Sequence, residues 1–258
     1  MSVTARRVHL AQRPVGLPDA STWSVRDTEL DAPADGEVLI RTTHLSLDPA
    51  MRGWLNDVRS YVPPVAIDEV MRASGVGTVI ESRHPGFSEG DVVTGLTGVA
   101  DHAVLSGDDL TRVDLDVAPA ATWLGALGMP GMTAWFGLFD VAAAKSGDTV
   151  LVSGAAGAVG SVVGQLAKAR GCRVIGIAGG PEKCAWLTDE LGFDAAIDYK
   201  AGPVHRSLRD VAPEGIDVYF DNVGGDMLDS ALRALRRGAR IAICGAISTY
   251  NATERSEE

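Results

Sequence analysis

The sequence predicts an α/β protein in which a β-rich N-terminal part precedes a doubly wound parallel sheet. One stretch, Asp148 to Gly171 (DTVLVSGAAGAVGSVVGQLAKARG), passes from an apolar β-branched run through small residues into a helical pattern. After Pro119, strand-like and helical runs alternate, the order expected of parallel βαβ units. Before about residue 125, short strand-like runs are punctuated by Gly, Pro and Asp turns. The boundary falls there, giving a domain of residues 1–125 and a second of 126–258.

In the central stretch, Thr149 to Ser153 reads as a strand and Ala158 to Arg170 as a helix stopped by Gly171. Gly157 and Gly160 take the second and third places of G-x-G-x-x-G, and Ala155 stands at the first. A bare backbone at these places admits a diphosphate to the helix N-terminus, where free N–H groups and the helix dipole favour an anion. Small residues at such a crossing also serve packing, so the motif is read with the βαβ unit that contains it.

In the N-terminal part, Arg7 to Leu10, Glu37 to Thr43, Gly75 to Ser82 and Asp91 to Leu96 read as strands of a compact barrel or sandwich. Ala120 to Val141 is apolar and helical in composition, with Pro130 expected to end one helix and begin another. Beyond it, Arg173 to Ile177, Ala195 to Ile197, Val218 to Asp221 and Arg240 to Cys244 are the further strands. Ligands of a doubly wound sheet bind at the strands' carboxyl ends, so the segments after each strand are the candidates.

The content of 46% hydrophobic and 22% charged residues in 258 is that of a globular protein with ample core material. A formal net charge of −11 argues against nucleic acid and anionic membranes as partners. The N-terminal MSVTARRVHL lacks a signal peptide's apolar run, and a cytoplasmic location is expected. Cys172, Cys184 and Cys244 form no metal-ligand spacing, and His9, His44, His84, His102 and His205 are scattered.

An NAD site places a carboxylate about 20 residues after the glycine turn, where it binds the ribose 2′-hydroxyl. Here the segment reads Ala178-Gly179-Gly180, with Lys183 shortly after, which favours NADP(H). Pro181-Glu182-Lys183 also reads as an ordinary helix start, and Glu182 works against the phosphate.

The stretches LSLDPAMRGW (Leu45 to Trp54), SYVPPV (Ser60 to Val65), GLTGVADHAV (Gly95 to Val104), LGMPGMTAWFGL (Leu127 to Leu138), VSGAAGAVGSVVGQLAK, AGGPEK, FDNVGG (Phe220 to Gly225) and ISTYN (Ile247 to Asn251) span nearly the whole chain. Together they resemble the zinc-independent medium-chain dehydrogenase/reductases, in particular the branch of prostaglandin reductase, leukotriene B4 dehydrogenase and alkenal double-bond reductase. The resemblance implies a GroES-like β-barrel domain followed by a Rossmann domain. It implies NADPH-dependent reduction of the carbon–carbon double bond of an enone or enal, with a quinone oxidoreductase or a non-catalytic NADP(H)-binding protein as alternatives.

By that resemblance Gly157, Ala158, Val159 and Gly160 cradle the diphosphate, while Gly179, Lys183 and Tyr199 form the 2′-phosphate end. Asn222, Cys244, Gly245, Ala246, Ile247, Ser248 and Tyr250 line the rest of the groove, and Thr133 stands near the nicotinamide. Zinc is not expected, because the chain has no cysteine before Cys172 and reads Arg72-Ala73-Ser74 where zinc-dependent relatives have Gly-His-Glu. Without a metal, the substrate carbonyl needs a hydrogen-bond donor, and the phenols of Tyr250 and then Tyr61 are the candidates, each also able simply to pack against ligand. Relatives continue past ISTYN with a sixth strand, so an incomplete Rossmann sheet with an open edge, and a homodimer through it, are expected.

Overall fold

The computed structural model describes residues 2–252. Two compact units are present, one running to Leu124 and resuming at Tyr250, the other Gly125–Thr249.

The first unit is antiparallel. β1 (Val3–Leu10) and β2 (Trp23–Leu30) form a two-stranded sheet with Val3 opposite Leu30 and Leu10 opposite Trp23. A second sheet has the order β6-β3-β4-β5-β7, built from β3 (Glu37–Leu45), β4 (Gly75–Ser82), β5 (Val92–Gly95), β6 (His102–Ser106) and β7 (Thr111–Arg112). Val38, Ile40, Val79, Val93 and Ala103 make its core, the inward half of a period-two alternation. Helix α1 (Ala50–Trp54) follows β3, and Leu55 just beyond it packs with Leu10, Val65 and Met71. Arg52 of α1 donates to the Gly16 carbonyl (2.7 Å) and to the side-chain oxygens of Asn56 (2.8 Å) and Asn251 (3.0 Å), which fastens the 250–252 segment to this unit.

In the second unit β8 (Thr149–Val152), β9 (Arg173–Ala178), β10 (Ala195–Asp198), β11 (Ile216–Asp221) and β12 (Leu235–Ile243) form an all-parallel sheet of order β10-β9-β8-β11-β12. Among the described residues this sheet has five strands, with β12 at one edge. Both faces of β8 are buried, and its residues divide accordingly. Val150 and Val152 join one core with α2 (Met129–Trp135) and α3 (Ala158–Ala169), while Leu151 joins another with Ile175, Tyr219 and Leu208. The second core is covered by α5 (Val204–Val211) and α6 (Gly225–Leu232). Helices on both faces explain why the strands read as unbroken apolar runs.

Helix α3 ends as its sequence predicts. Gly171 takes a positive φ of 84°, its amide donates to Lys168, and the Cys172 amide donates to Ala167 (3.0 Å), a Schellman motif that satisfies the last carbonyls. The helix packs closely on Phe193 because Gly164 has no side chain: a Cβ there would stand 1.8 Å from the Phe193 ring. Upstream, the segment before Pro130 differs from expectation. Only a 3₁₀ turn, Ala120–Trp123, forms, because Gly125 and Gly128 interrupt the run. Pro130 opens α2, which continues as a π-helical stretch, Phe136–Val141. Between β9 and β10 lie α4 (Pro181–Ala185) and a second π-helical stretch, Trp186–Glu190.

Gly164→Ala is expected to lower stability by about 1–3 kcal/mol through overpacking. Urea unfolding checks this, and adding Phe193→Leu should recover part of the loss.

Candidate functional site

The order of the parallel sheet reverses between β8 and β11, so the crevice at their carboxyl ends is where a ligand is expected. Gly154 follows β8 in the left-handed region (φ 58°), where side chains rarely go. Ala155, at the place of the motif's first glycine, is fully buried, and its methyl fits because Gly176 of β9 lacks a side chain: a Cβ at Gly176 would lie 2.9 Å from it. A Cβ at Gly160 would come within 2.4 Å of the Gly154 carbonyl oxygen and 2.8 Å of Ala155 Cα, so only glycine permits this crossing of helix and turn. Gly157 is exposed and meets only the Gly154 oxygen (3.1 Å), leaving the backbone accessible.

Among the described residues no side chain caps α3, and its first hydrogen bond runs from the Ser161 amide to the Gly157 carbonyl (3.0 Å). The amides of Ala158, Val159 and Gly160 therefore stand open among the described residues, at the positive end of a helix of 12 residues. A diphosphate fits this set of donors without a basic side chain.

The neighbouring segments are fastened to this turn one after another. The Ala155 amide donates to Ile177 (3.0 Å) on one side. On the other, the Asn222 amide donates to Ser153 Oγ (2.9 Å) and the Asn222 side-chain nitrogen to the Ser153 carbonyl (2.7 Å). The Cys244 and Gly245 amides donate to the Asp221 carbonyl, while Ser248 donates through both its amide and its hydroxyl to the Val223 carbonyl. A Cβ at Gly224 would meet Ala246 at 3.2 Å, so these two loops also lie in contact. Asn222, Cys244, Gly245, Ala246, Ile247 and Ser248 thus form one ledge beside the glycine turn.

Under the ledge is a carboxylate the sequence reading did not single out. Asp221 Oδ1 accepts from Ser153 Oγ (2.8 Å), Tyr219 Oη (2.7 Å) and the amides of Val223 and Gly224 (3.0 Å each). Asp221 is 1% exposed, and its Oδ2 is buried with no hydrogen-bond partner among the described residues. Burial, together with this carboxylate, pushes the Tyr219 phenol far above its ordinary value, so it serves as a fixed donor. Cys244 is exposed at the residue level, while desolvation of its thiol and the nearby Asp221 charge push that thiol up.

At the other end of the crevice, Gly179 follows β9 and Tyr199 follows β10. A Cβ on Gly179 would stand 2.8–2.9 Å from the Tyr199 ring and hydroxyl, so the phenol lies directly over that glycine. Lys183 is exposed on α4. The Asp198 carboxylate reaches this place from β10 and accepts the Gly180 amide (2.8 Å), a negative group supplied by the neighbouring strand rather than by the segment after β9.

Thr133 is partly buried on α2, which packs on α3. Tyr61 is 81% exposed, and Tyr250 is partly buried directly beside the Asn251 that Arg52 holds; both phenols belong to the N-terminal unit. Among the described residues no cluster of three or more His, Cys, Asp or Glu could hold a metal ion, and no helix is long and apolar enough to cross a membrane.

A doubly wound sheet with an open helix N-terminus over a glycine turn, in one chain with an antiparallel domain, is the make-up of a two-domain dinucleotide-dependent oxidoreductase. Comparisons with known proteins agree. Residues 6–113 match the family described as N-terminal domain of oxidoreductase, and residues 158–256 match that described as zinc-binding dehydrogenase. The chain is 46% identical over 250 residues to NADPH-dependent curcumin reductase of Escherichia coli, covering 96% of this chain and 72% of that one. It is 42% identical over 255 residues to prostaglandin reductase 1 of Bos taurus, covering 97% and 75%. The crystal structure of CurA from Vibrio vulnificus in complex with NADPH is similar, with a TM-score of 0.93 and 47% identity over 98% of this chain and 75% of that one. The chain belongs to the medium-chain dehydrogenase/reductase family, in its zinc-independent branch.

Asp221→Ala is expected to cost at least about 3 kcal/mol, because it strands several buried donors at once, against about 1–2 kcal/mol for Tyr219→Phe. Urea unfolding should show this order, with amide exchange at Val223 and Gly224 accelerating in Asp221→Ala.

Proposed function

We propose that the chain is a zinc-independent, NADPH-dependent reductase of the carbon–carbon double bond of α,β-unsaturated ketones and aldehydes. The observation that carries the reading is the open first turn of α3, three amides beside a turn that only glycine can make, in a chain whose relatives are named NADPH-dependent and prostaglandin reductases. NADPH, when bound, supplies a hydride equivalent for the β-carbon of the substrate.

The chain's own residues divide the remaining work. The amides of Ala158, Val159 and Gly160 hold the diphosphate, and Gly157 keeps the approach clear. Gly179 leaves room for the Tyr199 phenol, and Lys183 adds positive charge for the 2′-phosphate. Asn222, whose side-chain nitrogen is bonded to the Ser153 carbonyl, holds its oxygen in a fixed orientation as an acceptor on the ledge formed with residues 244–248. As negative charge gathers on the substrate oxygen, a hydrogen-bond donor stabilises the enolate, and the Tyr250 phenol is the first candidate, ahead of Tyr61. The enolate then takes a proton at its α-carbon from solvent, so that hydride and proton together saturate the double bond.

The purified chain is expected to oxidise NADPH in proportion to added enone, giving a product saturated at the former double bond, with quinones turned over more slowly. NADPH bearing deuterium at its transferable position should place that deuterium on the β-carbon, as read by mass spectrometry. Tyr250→Phe is expected to lower kcat by roughly 100-fold while leaving NADPH affinity unchanged. Cofactor binding without turnover on any enone would overturn the reading.

A further inference from the structure

Pairing of Asp198 with Ala178 makes β9 and β10 end side by side, and the two chains leave the sheet together. The Tyr199 amide donates to the Ala178 carbonyl (3.1 Å), so Gly179–Gly180 and Tyr199–Lys200 form one corner. Within it the Asp198 carboxylate accepts two amides on the same oxygen, Gly180 (2.8 Å) and Lys200 (2.9 Å). These bonds hold the Asp198 carboxyl below the usual carboxylate range, with the positive charge of Lys200 helping. Its other oxygen has no hydrogen-bond partner among the described residues. The Lys200 side chain turns back over the corner: a Cβ on Gly179 would lie 3.0 Å from Lys200 Cε, beside the Tyr199 ring and hydroxyl. Lys200 makes no side-chain hydrogen bond or ion pair with the described residues, so its ammonium is available.

This corner follows the second strand of the nucleotide-binding half, where the adenosine ribose of a dinucleotide is read. A carboxylate there accepts a free 2′-hydroxyl and repels a 2′-phosphate. Asp198 by itself would therefore favour the unphosphorylated cofactor, and Lys183 faces the further opposition of Glu182 on its own helix. A second cation on the corner reverses the balance.

Building on the NADP(H) reading above, we infer that Lys200 is a specificity-determining residue that offsets Asp198 and grips the 2′-phosphate, so that the Asp198–Lys200 pair sets the preference for NADP(H) over NAD(H). Both amides that hold the turn go to Asp198 Oδ1, an atom an asparagine also provides. Asp198→Asn therefore removes the charge while keeping the turn.

The test is calorimetric titration of wild type, Lys200→Gln and Asp198→Asn with NADPH, NADH, and the fragments 2′,5′-ADP and 5′-AMP, with circular dichroism confirming that each variant is folded. Lys200→Gln is expected to weaken NADPH and 2′,5′-ADP about tenfold, with NADH and 5′-AMP within a factor of about two. Asp198→Asn is expected to tighten the two phosphorylated ligands several-fold and to leave the others unchanged or weaker. Added salt should erode the wild-type preference more than that of Lys200→Gln, as screening requires. Equal losses for all four ligands in Lys200→Gln, or an unchanged preference in either variant, would overturn the inference. Failure of the wild type to bind NADPH at all would instead overturn the functional reading on which it rests.

Discussion

The contact on which the rest of this structure depends is the approach of α3 to the turn after β8. Gly160 lies so near the Gly154 carbonyl that the smallest side chain would collide with it. That proximity packs α3 onto the sheet and aims its unbonded amides into the crevice. The same geometry therefore serves packing and anion binding, the two readings that glycine spacing alone leaves open. Ala155 replaces a glycine without harm because the neighbouring strand, at Gly176, gives up the volume its methyl takes.

The second constraint is the polar knot beneath the crevice. A carboxylate buried to 1% exposure is costly unless its oxygens are well supplied with donors. Asp221 meets that need at Oδ1 alone, from Ser153 just after β8, from β11 and from the loop after β11, and in doing so fixes where those segments end. The ledge of residues 244–248 then hangs from the Asp221 and Val223 carbonyls. A rigid ledge costs little ordering entropy when a ligand arrives.

What the sequence made legible was local. The β8–α3 unit, the Gly171 stop and the five parallel strands each rest on patterns within a few residues, and each appears with ends shifted by a residue or a few. β2 was missed because WSVRDTEL is mostly polar, with no alternation to mark it, and β6 and the two-residue β7 were missed as well. The helix expected from residue 120 reduces to a 3₁₀ turn because apolar composition does not outweigh the glycines that follow. Asp221 meets Ser153 across 68 residues and Asp198 meets the Gly180 amide across 18, and these distant bonds are what local patterns leave out. Tyr250 follows the groove residues in sequence, yet Arg52 anchors its neighbour Asn251 to the N-terminal unit, a partition no local pattern encodes.

The most direct test of the account is a titration of isotopically labelled protein with NADPH, followed through the backbone amide resonances. The amides of Ala158, Val159 and Gly160 should shift together and saturate along a single binding curve. Saturation elsewhere with those amides unmoved, or no response at millimolar cofactor, would contradict it.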